Sequence, residues 1–256
     1  MRKSVFVFSA SVALAVAAFA YLGQVVGSFP SPAGYLTRGL ARSASYLYVL
    51  DNNNPGLVYR INPTSGYVYG WSILNYAGNN RGLAYVSGNY LYIGNDTNDY
   101  VYRVNPDSGV AYSSWAANHD PFGLDPVCTG DGGTGTIAMY STDSSPSAIF
   151  THVLGTGSIA SSITIPGASD YDCAYDWRNS VLWLGRSNSY VYAYSPSGVT
   201  VASFPAPTPY PAALAYYGAY LWVACTGYGY IYRVHCPQGF VGTAPASLGR
   251  VKALYR

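Results

Sequence analysis

The chain has 256 residues and a mass of 27.3 kDa, which allows one large domain or two small ones. Half of its residues are hydrophobic and only 9% are charged, so the composition excludes an intrinsically disordered chain. All 11 acidic residues are Asp, which excludes every mechanism that needs a glutamate, and the 28 tyrosines beside only two lysines favour strands over helices.

The first twenty residues have the pattern of a secretory signal peptide. Arg2 and Lys3 precede an apolar run over 5–18, and a small-x-small site ends at Ala20. We expect cleavage after Ala20, with an uncleaved membrane anchor as the alternative. The mature chain, 21–256, then has no predicted membrane span and a formal charge of zero, which gives no electrostatic footprint for nucleic acid. We therefore expect a secreted protein, either extracellular or at the cell surface.

Four cysteines lie in the mature chain: Cys128, Cys173, Cys225 and Cys236. An even number in a secreted protein favours two disulfides, and spacing alone leaves three connectivities open. We expect Cys128–Cys173 and Cys225–Cys236, with buried free thiols as the alternative. The spacing matches no zinc signature, because there is no CxxC pair and the three histidines are dispersed, so no metal site is predicted from them.

One plan repeats along the chain. The clearest copy, 82–110, contains GLAYVSGNYLYIG and YVYRVNP; 39–67 follows the same plan, two later copies end near residues 198 and 234, and a degraded copy lies between 123 and 150. The equivalent leucines are Leu47, Leu91, Leu182 and Leu221, with separations of 44, 91 and 39 residues. The longest separation spans two units. The sequence therefore contains five units of about 44 residues.

Each unit is predicted to form four short strands. β-branched and aromatic residues fill the strands, and Gly, Pro, Asn, Asp and Ser fill the turns between them. Four strands at a period of 40–50 residues are typical of a β-propeller. We predict an all-β fold, a propeller of five four-stranded blades, or six if a surplus candidate strand forms a further blade.

The motifs GLAYVSGNYLYIG, YVYRVNP and SFPAP resemble those of secreted bacterial propellers related to the YVTN and NHL-type repeat families. The resemblance covers about 39–236 and implies the propeller fold, whereas these families host enzymes, binding proteins and scaffolds alike. The predicted domains are a signal peptide over 1–20, a propeller over 21–246 and a tail over 247–256.

Closure of the ring is left open by the sequence. Residues 25–32 resemble 201–207, a predicted fourth strand, so an N-terminal strand is expected to complete the last blade, although 239–242 fits the same place. The tail, SLGRVKALYR, is interpreted as a sorting tag, a closing strand or a strand donated to a neighbouring molecule.

Connections from a fourth strand to the next first strand are expected to open at the channel mouth, where propellers commonly bind ligands. They carry six polar residues: Arg38, Arg81, His119, Asp120, Asp170 and Asp172. Such a mixed set would suit a small polar ligand, and the alternative is solvated charges or ion pairs between blades.

Two other patterns are interpreted mainly as structure. The loop over 51–56 partly imitates a calcium loop but lacks its fifth ligand and terminal Glu, so turn chemistry is favoured and calcium is the alternative. Arg60, Arg103 and Arg233 each recur beside a tyrosine, and we expect stacking between blades.

These observations favour a secreted, non-enzymatic propeller that serves extracellular binding or assembly. Its expected partners are other subunits, itself or glycans, and a terminal strand passed between subunits would build a filament or coat. The alternatives are a hydrolase or lyase that uses His119, Asp120 and Asp172 at the channel mouth, and a lectin-like glycan binder. No cofactor is predicted apart from the calcium alternative.

Overall fold

The computed structural model describes residues 21–52, 56–76, 78–144, 147–165 and 170–239. In these ranges the chain forms five four-stranded antiparallel sheets, which are the blades of a β-propeller. The prediction of five blades is confirmed. The predicted signal peptide and C-terminal tail lie outside the described residues. Within the described residues, no helix is long and apolar enough to cross a membrane.

In blades 1 to 4 the four strands lie in chain order from the central axis to the outside of the blade. Blade 5 differs in its outer strand. Strand β1 (Val25–Pro30) comes first and belongs to the last blade. Blade 1 contains β2 (Thr37–Arg42), β3 (Leu47–Asp51), β4 (Leu57–Ile61) and β5 (Val68–Ile73). Blade 2 contains β6 (Asn80–Val86), β7 (Tyr90–Asn95), β8 (Tyr100–Val104) and β9 (Ala111–Ala116).

Blade 3 contains β10 (Gly123–Val127), β11 (Ala138–Ser144), β12 (Ser147–Val153) and β13 (Ile159–Thr164). Blade 4 contains β14 (Asp170–Asp176), β15 (Val181–Arg186), β16 (Tyr190–Tyr194) and β17 (Thr200–Pro205). Blade 5 contains β18 (Pro211–Tyr217), β19 (Tyr220–Cys225) and β20 (Tyr230–His235), and β1 is its outer strand. Two short 3-10 helices lie at Gly34–Leu36 and Asp131–Gly133.

The N-terminal strand closes the ring. Strand β1 pairs antiparallel with β20, with Phe29 opposite Ile231. Phe29 is buried and joins a core cluster shared by blades 5 and 1. Strand β1 therefore occupies the outer place of blade 5, and residues 240–242 of the alternative closing segment lie outside the described residues. The ring is thus fastened between the first and last parts of the described chain.

Around the central axis, the inner strands of neighbouring blades approach so closely that glycine is required. A Cβ at Gly39 would lie 2.8 Å from the Cβ of Leu83 in blade 2, and a Cβ at Gly82 would lie 2.9 Å from the backbone of Gly123 in blade 3. A Cβ at Gly123 would lie 2.7 Å from Cα of Asp172 in blade 4. The repeated glycine of the sequence motif therefore sets the width of the ring.

In blades 3 to 5, buried carboxylates join the inner strands. Asp172 is fully buried and accepts the N–H of Leu214 in blade 5 at 2.8 Å, while Asp125 in blade 3 accepts the N–H of Tyr175 in blade 4. Burial raises the pKa of both carboxyl groups well above the ordinary range, and the amide bonds oppose that rise. These side chains therefore work as cross-links between blades.

The central channel has two ends. A loop from blade 3 crosses the end at which the first and second strands of each blade are joined. Its ten residues, 128–137, join β10 to β11, where the other blades use turns of two to four residues. The Asp131 carboxylate accepts hydrogen bonds from Trp177 (2.8 Å) and Arg178 (2.7 Å) in blade 4 and from the N–H of Gly218 (3.0 Å) in blade 5. The following two glycines approach the backbones of blades 1 and 2. One loop thus contacts all four other blades.

Replacing Phe29 by Ala tests the closure of the ring. Loss of this buried ring from β1 should lower the unfolding free energy by about 3–5 kcal/mol. Tyr112→Ala, on the outer strand of blade 2 where the side chain is 56% exposed, is the control and should change it by less than about 1 kcal/mol. Urea unfolding followed by tryptophan fluorescence measures both. Equal effects of the two substitutions would contradict closure by β1.

Candidate functional site

Arg38 and Arg81 both line the cavity at the channel mouth, and both make contacts that stabilise the fold. The cavity there is lined by Arg38, Arg81, Phe122 and Ala212. Arg38 donates to the Thr226 hydroxyl at 3.0 Å, and Arg81 pairs with Asp96 at 2.7 Å while its guanidinium stacks 4.2 Å from the Phe122 ring centre. The cavity measures about 10 Å³, which is room for a single water molecule. This cavity, as bounded by the described residues, is too small for an organic ligand, and 166–169, between blades 3 and 4, lie outside the described residues.

The other four predicted residues do not join the arginines. His119 turns into the interface of blades 2 and 3, Asp172 is buried as a cross-link, and Asp120 lies exposed beside Asp99. Partial burial and a hydrogen bond with Asp120 raise the pKa of Asp99. The backbone of Asp170 pairs with Arg186, and its side chain lies outside the described residues. Of the described side chains among these six, Arg38 and Arg81 are the two that line the cavity at the channel mouth.

A cluster that sequence reasoning missed surrounds His119. Ser141 Oγ lies 2.8 Å from Nε2 of both His119 and His152, and the two Nε2 atoms are 3.2 Å apart. Nδ1 of His152 lies 2.8 Å from the carbonyl oxygen of Gly157 and must donate to it. Neutral rings then allow the contacts in sequence: His119 Nε2–H donates to Ser141 Oγ, and Ser141 Oγ–H donates to His152 Nε2. Nδ1 of His119 takes no part in this set.

The electrostatics of this cluster favour neutral imidazoles. Burial, and to a lesser extent the neighbouring His152, lowers the pKa of His119 to about 4. Burial also lowers the pKa of His152. The His119 ring stacks on Phe150 with centres 4.2 Å apart, and both Ser141 and His152 are fully buried. A serine beside a histidine has the chemistry of a nucleophile, but this hydroxyl is sealed between blades and meets no solvent.

The signal for this cluster lies in the alignment of the repeats. Ser141 stands opposite Leu124 in the column that holds Val49, Ile93, Leu184 and Val223 in the other blades. His152 likewise replaces the apolar or aromatic residue paired with the repeated leucine. Polar residues in an apolar column, within the one degraded repeat, would have identified the cluster.

The four cysteines are buried free thiols, so the predicted disulfides are corrected. Cys225 ends β19, and Cys236 lies opposite the beginning of that strand, donating its N–H to Ala219 at 2.8 Å. Five residues of strand span about 16 Å, whereas a disulfide needs Cα atoms within about 7 Å. Cys173 aligns with Leu124, four residues before Cys128 in the previous blade. Both pairs are therefore held apart by strand length.

The three predicted arginines stack on tyrosines within their own blades, whereas stacking between blades is found at Arg42 of blade 1, which lies 4.4 Å from the Tyr217 ring centre of blade 5. The guanidinium of Arg60 lies 5.0 Å from the Tyr46 ring centre, that of Arg103 lies 3.5 Å from Tyr90, and that of Arg233 lies 5.0 Å from Tyr220. Each arginine comes from the third strand, and its tyrosine either begins the second strand of the same blade or, at Tyr46, directly precedes it.

The calcium alternative stays a prediction. Asp51 is 3% exposed at the end of β3, and residues 53–55 of its loop lie outside the described residues. In the described parts of the chain, no three His, Cys, Asp or Glu side chains gather closely enough to hold a metal ion.

The outer strand of blade 1 departs from the pattern of the other four blades. In those blades a serine stands opposite the third-strand aromatic ring, in the pairs Ser28–Tyr232, Ser114–Tyr102, Ser162–Phe150 and Ser203–Tyr192. In blade 1 this place belongs to Trp71, opposite Tyr59, and Trp71 is 64% exposed. The small solvent-facing residue is therefore replaced by the largest side chain.

The next position of the same strand is changed in the opposite sense. The other blades place a large apolar residue there, facing the core: Phe29, Trp115, Ile163 and Phe204. Blade 1 places Ser72 there, 5% exposed, and its hydroxyl has no hydrogen-bond partner among the described residues. Ile73 follows, 54% exposed, where β1 and β17 end in proline. The outer strand of blade 1 therefore exposes Trp71 and Ile73 to solvent and buries Ser72.

No protein-family model matches this sequence, and no curated protein matches it either. The fold is similar to the crystal structure of Myxococcus xanthus glutaminyl cyclase, with a TM-score of 0.68 and 12% identity over 83% of this chain and 95% of that chain. It is similar to a catalytically inactive virginiamycin B lyase from Staphylococcus aureus with quinupristin, with a TM-score of 0.50 and 15% identity over 78% of this chain and 66% of that chain. The mitotic checkpoint complex contains another similar chain, with a TM-score of 0.51 and 13% identity over 78% of this chain and 63% of that chain. At these identities the similarity shows the propeller fold alone and leaves both catalysis and binding open.

The histidine cluster predicts a specific acid sensitivity. The folded pKa of His119 lies below the ordinary 6.5, so the unfolded chain binds this proton more readily. The stability that the neutral ring contributes is complete above pH 6.5 and is lost as the pH falls towards 4. Relative to His119→Phe, the wild-type protein should lose about 3 kcal/mol of unfolding free energy over that range.

Urea unfolding of both proteins at pH 7, 5.5 and 4 measures this difference. The buried carboxyl groups, whose pKa values are raised, change stability in the opposite direction, but they are common to both proteins and cancel in the comparison. Parallel pH profiles of the two proteins would contradict the assignment of neutral rings.

Proposed function

We propose that this protein is a secreted, non-enzymatic β-propeller that assembles with further copies of itself outside the cell. The observation that carries the proposal is the outer strand of blade 1, where Trp71 and Ile73 face solvent in places that other blades give to serine and proline. Exposed aromatic residues beside an unpaired strand edge are a surface for contact with another chain.

The other outer strands are less suited to such contacts. Strands β1 and β17 end in Pro30 and Pro205, which cannot donate to an added strand. Strand β13 presents mainly Ser, Ala and Thr, and β9 presents Ser and Ala apart from Tyr112. Strand β5 has neither form of protection. Its outer edge therefore supports addition of a strand from another molecule, with Trp71 as the anchoring side chain.

The occupant we propose is the C-terminal segment, 247–256, of a second copy. This segment contains Arg250, Lys252 and Arg256 and no acidic residue, which gives a formal charge of +3. Residues 21–239 contain eight arginines and eleven aspartates, which gives −3. Opposite charges favour association of the segment with another propeller. Because β1 already completes blade 5, the segment has no place to fill in its own ring.

The positions of the predicted acid and base residues support a non-enzymatic role. The Asp172 carboxylate accepts hydrogen bonds from backbone N–H groups. His119 is hydrogen-bonded to Ser141 and stacked on Phe150 inside a blade interface. Asp120 is exposed beside His119, whose Nε2 already contacts Ser141. The hydrolase alternative needs three free groups at one mouth, whereas His119 and Asp172 are engaged inside blade interfaces.

The test restores the pattern of β17 to β5 by the double substitution Trp71→Ser and Ile73→Pro. The wild-type chain, 21–256, should form assemblies larger than one subunit, because the apolar edge accepts a tail. The double variant should be monomeric, and so should a chain that ends at Gly239. Light scattering coupled to size exclusion measures the masses, and electron microscopy of the same fractions shows the shape of the assemblies.

Tyr112→Ser, which removes an exposed aromatic residue from the outer strand of blade 2, is the matched control and should assemble as the wild type does. A synthetic peptide of residues 247–256, added in excess, should dissociate wild-type assemblies. A monomeric wild-type protein, or a double variant that assembles normally, would overturn the proposal.

A further inference from the structure

Five tyrosine rings form a continuous row on the face opposite the arginine-lined channel mouth. They run from the rim of blade 1 to blade 2 in the order Tyr67, Tyr69, Tyr46, Tyr48 and Tyr85. Successive ring centres are 5.3, 5.4, 6.4 and 5.6 Å apart. The first two rings are at least half exposed, and the last stacks on Tyr48 with the ring planes 9° apart.

The inner half of this row borders an open groove of about 300 Å³. Its polar side is formed by Arg60 of blade 1 and Asp107 of blade 2, whose atoms are 2.6 Å apart, and by Asn89, which donates to Asp107 at 3.3 Å. The groove is about thirty times larger than the cavity at the other mouth and lies within the size range of small-molecule sites. Aromatic faces and planar hydrogen-bonding groups therefore meet in one accessible cleft.

We infer that this groove binds a neutral saccharide chain, with Tyr46 and Tyr85 as its aromatic contacts in the groove and the exposed rings of Tyr67 and Tyr69 beyond it, while the buried Tyr48, 2% exposed, supports Tyr85 from the core. A sugar ring has one apolar face for an aromatic ring and hydroxyl groups that pair with guanidinium, carboxylate and amide groups. Arg60 already lies over Tyr46, which opposes binding of a cation to these rings. Its ion pair with Asp107 leaves no excess positive charge for an anion. The row is longer than one ring, so a linear chain fits it better than a single sugar.

Comparison with blade 2 separates this groove from the repeated scaffold. Blade 2 repeats the first part of the row, because Tyr90 and Tyr112 have ring centres 6.0 Å apart and Arg103 lies over Tyr90. The row does not continue into blade 3, where Pro126 occupies the place of Tyr85. The stacked arginine is thus part of the repeat, whereas the complete row and groove belong to the junction of blades 1 and 2.

This inference is independent of assembly through Trp71, and its test uses the Trp71→Ser background so that multivalent binding does not contribute. The probes are soluble neutral polysaccharides, namely hydroxyethyl cellulose, laminarin, galactomannan and glycogen, with alginate as the anionic comparison. Affinity gel electrophoresis should show retardation by at least one neutral polymer and none by alginate.

Tyr85→Ala and Asp107→Ala should each weaken binding at least about tenfold, because one removes the inner ring and the other removes the polar side. Tyr112→Ala in blade 2 is the matched control and should bind as the background does. Thermal unfolding of each variant checks that its fold is intact, and Asp107→Asn is a second variant that keeps the shape. Absence of retardation by all four neutral polymers, or unchanged binding by both groove variants, would overturn the inference.

Discussion

The close approach of five inner strands around the axis is the constraint on which the rest of this propeller depends. Blades 1 to 3 have glycine at that level, namely Gly39, Gly82 and Gly123, and blade 5 has the small Ala213. In blade 4 the side chain of Asp172 bonds to the neighbouring blade. An ordinary side chain there would push two blades apart and open every interface beyond it. The low charge of the chain agrees with this geometry, because the carboxylates nearest the axis are occupied by backbone amides.

Two further features hold the blades together in the ring. Strand β1 joins the ends of the described chain within blade 5, so the last blade cannot separate without removing Phe29 from a shared core. The loop over 128–137 joins blades that are not neighbours, through the Asp131 carboxylate and two glycines with positive φ. The loop also fills one end of the channel. The outer surfaces and the grooves between blades offer further places for recognition.

The architecture was predictable because equivalent residues recur at a fixed spacing. Most of what the sequence analysis missed lies where one blade departs from that repeat. The repeated Leu, Tyr and Arg-Val-Asn-Pro positions identified five blades, since each residue recurs in one structural place. Side-chain direction was not predictable from position in a connecting loop, so His119 was expected at the mouth and lies between blades. Cysteine pairing failed for a similar reason: even numbers suggest disulfides, but Cys173 takes the place of a core leucine. The resemblance to YVTN and NHL-type families remains a prediction.

These departures from the repeat are informative because each places a residue of opposite polarity at a position where the other blades agree. In blade 3, Ser141 and His152 place polar groups where other blades have apolar ones, and a complete set of hydrogen bonds compensates for their burial. In blade 1, Trp71 and Ser72 exchange the apolar and polar places of the outer strand, and nothing inside the blade compensates for the buried hydroxyl of Ser72. A compensated departure is explained by the fold alone. The departure in blade 1 is uncompensated among the described residues, and it is the observation on which the proposed assembly rests.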